Sequence, residues 1–81
     1  METLNKVQML NTFLAKVKQL RGFGDMNSYF LASQFKGIDE KVKENQVNEI
    51  ISEFSSPETF NEGKTHFIDG INALIDDILH N

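Results

Sequence analysis

Two side chains in this sequence, His66 and His80, are suited to metal or proton chemistry, and each follows an acid by four residues: Glu62/His66 and Asp76/His80. On a helix that spacing stacks an imidazole against a carboxylate, a donor pair that suits zinc. Asp69 and Asp77 each stand three residues from one of these histidines. Two separated pairs on one exposed face offer too few convergent donors, however, so ordinary side-chain pairing is expected and no metal or other cofactor is assigned. Catalysis finds little support either. The chain has no cysteine, no serine sits in a nucleophile elbow, and a carboxylate-pair hydrolase needs both acids to face one pocket. No catalytic residue is assigned, and an enzyme is not expected.

The acids carry more information as a group. Glu58, Glu62, Asp69 and Asp76 fall within about 40° of one another when wound on a helix, opposite its apolar face. They define an acidic ridge about 27 Å long at the helical rise. Such a ridge is suited to docking a partner with a basic surface. The segment "LRGFGDMN" adds a second candidate. A phosphate-binding loop needs a strand before its glycines and a longer glycine pattern, and neither is present. The expected role is therefore a turn between helices, with Gly22 in the left-handed position after a helix end, Phe23 leaning back on Val17, and Asp25 or Asn27 capping the next helix. Phe23, held between two glycines, is also a candidate anchor for a partner.

The elements that must position these groups are helices. Leu4, Val7, Leu10, Leu14 and Val17 recur at spacings of three and four, and Phe13 and Leu20 widen the stripe to roughly 200° of arc. So wide an apolar face is either sandwiched inside the fold or shared with a second copy in a homodimer. Tyr29, Phe30, Leu31, Ala32 and Phe35 crowd the circumference of a short second helix, which is expected to be deeply packed. Gly37 ends it, and Asp39 can cap a third helix with the stripe Val47, Ile50, Ile51, Phe54. Ser56 and Pro57 suit the start of a fourth, which carries Phe60, Phe67, Ile71 and Leu74 on its apolar face. Gly63 and Gly70 lie along its edge, marking close packing or a break. The prediction is an all-α bundle of about four helices, over 3–21, 26–36, 40–54 and 57–79, in a single domain spanning 1–81.

Composition narrows the functional classes. Lys and Arg outnumber acids seven to four in residues 1–43, whereas residues 44–81 hold one lysine against eight acids, within a net charge of −4. This dipole can be satisfied internally or can steer a partner. The absence of cysteine and of any long apolar run points to a cytoplasmic chain without membrane insertion. Helix-turn-helix DNA binding is the rival reading of "SYFLASQFKGIDEKVKENQV": Ala32 in the first helix, Gly37 in the turn, then Lys41, Lys43, Asn45 and Gln46 on an exposed second helix. The Ala-to-Gly interval is one residue too long, and acids on the reader together with the net charge argue against nucleic acid. The favoured expectation is a small regulator or inhibitor that works by binding another protein. Phages and mobile elements commonly encode chains of this kind as accessory factors.

Overall fold

The first helix is shaped by four apolar residues at helical spacing. In a computed structural model describing residues 2–80, α1 (Glu2–Lys18) turns Leu10, Phe13 and Val17 inward, and Leu20 follows them just past its end. Met1 and Asn81 lie outside the described residues. Three more helices follow: α2 (Asn27–Phe35), α3 (Glu44–Phe54) and α4 (Phe60–Leu79), with no strand among the described residues. The expected all-helical bundle is thus observed. α4 is its spine, packing on α1 along one side and on α3 along the other, while α2 bridges α1 and α3.

Five phenylalanines fill the centre. Phe67 of α4 is fully buried, with its ring 5.1 Å from Phe35, 6.1 Å from Phe13 and 6.2 Å from Phe54, and Phe60 stacks 5.1 Å from Phe54. One ring from each helix thus meets at Phe67, in tilted arrangements that such rings prefer to a flat sandwich. The wide apolar arc of α1 is divided. Leu10 is in the core, whereas Leu4 and Met9 remain exposed.

Three boundaries and one face differ from expectation, each for a local reason. α1 stops at Lys18 and not at Arg21, closing with i→i+3 bonds from Gln19 and Leu20 to Lys16 and Val17. Lys64 Nζ, 2.9 Å from the Leu20 carbonyl, caps this end, so no left-handed residue is needed at Gly22. Among the described residues only Gly24 has a positive φ, +96°. Phe23 does not fold back; it is exposed.

On α2 the inward set is Ser28, Leu31, Ala32 and Phe35, which places Phe30 on the opposite side of the helix, in the open. α3 begins at Glu44, not at residue 40. A helix running through 40–43 would aim Glu40 and Lys43 at the core; instead the chain is extended at Lys43 (φ −85°, ψ 139°), and Val42 turns inward. Asp39 is buried beneath that turn instead of capping α3. Its carboxylate lies 2.8 Å from Lys6 Nζ and accepts the Lys41 N–H at 2.9 Å.

α4 begins at Phe60, not at residue 57. The Ser56 hydroxyl donates to the Glu58 carboxylate and so caps nothing, while Thr59 Oγ1 donates at 2.7 Å to the Glu53 carbonyl at the end of α3. Once started, α4 runs unbroken through Gly63 and Gly70. A Cβ on Gly63 would sit 2.8 Å from Glu53 Cβ, and one on Gly70 would collide with the Gln46 amide. The glycines therefore mark close packing of α3 on α4, as expected, at a helix-propensity cost of about 1 kcal/mol each.

Candidate functional site

The α1–α2 corner holds an open concavity. Residues 19–26 leave α1, turn at Gly24 and enter α2 under the control of Asp25. Its Oδ2 accepts the Arg21 N–H at 3.2 Å and its Oδ1 the Asn27 N–H at 3.1 Å, so one carboxylate ties both sides of the turn. Ser28, buried behind it, donates its hydroxyl to the Asp25 carbonyl at 2.7 Å. The backbone is thus anchored while the side chains it carries point outward. Phe23 is 55% exposed, Met26 77% and Phe30 62%, and all three line one open cleft of about 1120 Å³. Leu20 and Leu31 form its floor, and Lys16 and Arg21 stand on its rim. Monomeric surfaces carry scattered apolar residues; here three large ones share one concavity.

The acidic ridge is only partly on one helix. Glu62, Asp69 and Asp76 are exposed along α4, whereas Glu58 sits in the turn before it. The hydrogen bond from Ser56 holds the Glu58 carboxyl below the usual carboxylate range. Lys64, the lone base of this half of the chain, is committed to the Leu20 carbonyl on the other side of the bundle.

His66 finds a different partner from the one its spacing suggests, and His80 meets Asp76 through the backbone and not the carboxylate. His66 reaches across the α3–α4 seam, where its Nδ1 lies 2.7 Å from Glu53 Oε1. That hydrogen bond, and then the charges of Glu53, Glu49 and Glu62, raise the affinity of the imidazole for its proton above the ordinary value. Glu53 is the sheltered member, its side chain 14% exposed. One carboxylate oxygen from each of Glu49 and Glu53 and one ring nitrogen of His66 all lie within 4.8 Å of one another. His80 instead donates from Nδ1 to the Asp76 backbone carbonyl at 2.7 Å, closing the last turn of α4.

The polar residues of the rival DNA-binding reading fall in the loop between α2 and α3 and at the start of α3. Lys41 and Lys43 precede α3, Lys41 Nζ is 2.9 Å from Asp77, and Lys36 is 2.9 Å from Glu44. The Gln46 side chain turns toward Gly70, and the exposed residues of α3 include Glu44 and Glu49. Among the described residues, no helix is long and apolar enough to cross a membrane.

The sequence pointed to Phe23 but not to Met26 or Phe30. The signal available was phase: Leu31 and Phe35 share a helix face, and Phe30 lies about 120° from their midline. The α3 half of the His66 cluster was also missed, because it depends on which helix packs against α4. No known protein family, curated protein or solved structure matches the chain.

Proposed function

We propose that this protein is a small regulator that works by binding another protein, and that the α1–α2 corner is its docking surface. The observation that carries the reading is the grouping of Phe23, Met26 and Phe30 around one cleft, each more than half exposed. Phe and Met side chains are enriched at the centres of protein interfaces. On the cleft, Lys16 and Arg21 outnumber the single carboxylate of Asp25, whose oxygens both accept backbone N–H groups. The complementary occupant is a short apolar segment of a partner, flanked by acidic residues. Binding acts by occupancy, with no chemistry on the partner.

Two other surfaces compete for this role. The acidic side chains Glu62, Asp69 and Asp76 would instead receive a basic surface, but they stand along a convex helix without a groove. Nucleic acid is the weaker rival, since Lys36 and Lys41 are already paired with acids. A displayed peptide library discriminates between the two protein surfaces. Panning should enrich apolar sequences with flanking Asp or Glu, and Phe23→Ser/Phe30→Ser should abolish their capture while Glu62→Lys/Asp69→Lys leaves it intact. Enrichment of basic peptides with the reverse mutational pattern would transfer the function to the acidic ridge and overturn the corner.

A further inference from the structure

Glu49 and Glu53 are one turn apart on α3, on the side that meets α4, and His66 stands one turn after Gly63 on α4. Gly63 lets the two backbones approach until a Cβ there would be 2.8 Å from Glu53 Cβ. The narrow seam brings the imidazole to the carboxylates. We infer that Glu49, Glu53 and His66 form a binding site for one zinc-class divalent cation, independent of the docking corner.

Three points of geometry and chemistry support the site. The three donor atoms lie within 4.8 Å of one another, and tetrahedral zinc holds its ligands roughly 3.4 Å apart. Closing that difference requires side-chain rotation at the exposed Glu49 and at His66. Second, the charges that act on His66 are all negative: Glu53, Glu49 and Glu62. A cation there replaces the proton that His66 Nδ1 now shares with Glu53 Oε1. Third, the donor set selects the metal. An imidazole with two carboxylates suits zinc and its neighbours, whereas magnesium and calcium prefer oxygen alone. Three protein donors leave the fourth position of the cation to water.

Calorimetric titration of the full chain with zinc chloride at pH 7.5, in a non-chelating buffer, tests the site. One cation per chain is expected, with affinity falling about tenfold or more in His66→Gln and in Glu53→Gln and unchanged in His80→Gln. Magnesium chloride should give no saturable heat. Backbone and histidine-ring resonances of the wild type, followed during the same titration, should move at residues 49, 53 and 66, which keeps the test decisive even if a variant unfolds. No saturable zinc binding up to about 1 mM, or binding that survives His66→Gln or is lost in His80→Gln, overturns the proposal.

Discussion

The α3–α4 seam and the α1–α2 corner use the same residue types to opposite ends. In the seam, Gly63 and Gly70 remove side chains so that Phe54 and Gln46 can press against α4, and Phe54 is fully buried. At the corner, Gly22 and Gly24 lie in open space with nothing within 4 Å of an added Cβ, and the aromatic between them is exposed. Burying a Phe or Met contributes about 1.5–3 kcal/mol, so a small domain that leaves Phe23, Met26 and Phe30 outside forgoes a large part of its available stability. Apolar character alone does not decide burial here. Helix phase and the anchoring of one turn by Asp25 do, and the surplus is presented to solvent as a surface.

The seam is the place where a single atom should matter most. Gly63→Val puts a branched Cβ against Glu53 Cβ and the Phe54 ring, and relief requires α3 to move. About 2–3 kcal/mol of destabilisation is expected, which for a domain of this size lowers Tm by roughly 10–20 °C. Thermal unfolding followed by circular dichroism measures it, and an unchanged Tm would mean the helices are not in close contact. The corner should respond to backbone strain and not to crowding. Gly24→Ala, at φ +96°, is expected to cost about 1–2 kcal/mol, whereas Gly22→Ala, a few residues away with an ordinary φ, should be neutral or slightly stabilising. Equal effects at the two glycines would show that the turn at residue 24 is not fixed.

A smaller effect is expected at the loop between α2 and α3, which is held by a charge where the corner is held by backbone bonds. The hydrogen bond from Lys6, followed by that from the Lys41 N–H, lowers the Asp39 carboxyl below its ordinary value of 3.8. A carboxylate with a depressed folded-state pKa contributes stability that is complete above the unfolded value and is lost as pH falls through the folded one. Stability should therefore decline below about pH 4, and Lys6→Met should shrink that decline while costing about 1 kcal/mol or less at neutral pH. Urea titrations of both proteins at pH 3 and pH 7 give the comparison; the same pH dependence with and without Lys6 would remove the ion pair as its cause.

The helices and most of the core were legible in the sequence because they rest on periodicity. Val47, Ile50 and Phe54, or Phe60, Phe67 and Ile71, have the same meaning in one dimension as in three. The boundaries were not legible, because they depend on contacts made from elsewhere. Ser56 looks like a cap until its hydroxyl is given to Glu58, and Gly22 looks like a helix stop until Lys64 arrives from α4 to take the carbonyl of Leu20. Asp39 has the composition of a cap and the position of a buried anchor, since its partner Lys6 lies more than thirty residues away in the chain. The His66 cluster failed for the same reason. Glu62 and Asp69 are its neighbours along α4, but Glu49 and Glu53 are its neighbours across the seam. Phe23 was legible as an exposed side chain because two glycines flank it, whereas Phe30 was hidden among residues that are buried.

The smallest expected change in stability is also the sharpest separation of the two regions. Replacing Phe23, Met26 and Phe30 together by Ser removes three large apolar side chains, a change that in the core would unfold the protein. Here each is more than half exposed, and Asp25 holds the turn through backbone bonds that none of the three supplies. The expected shift in unfolding free energy is within about 0.5 kcal/mol per site, and removal of exposed apolar surface should reduce any tendency to self-associate. Phe54→Ser, a single substitution beside the seam, should by contrast cost about 3–5 kcal/mol. Denaturant titrations with both variants check the pair of values. If the triple variant proved as damaging as Phe54→Ser, the corner would be part of the core in solution and not a surface kept open for a partner.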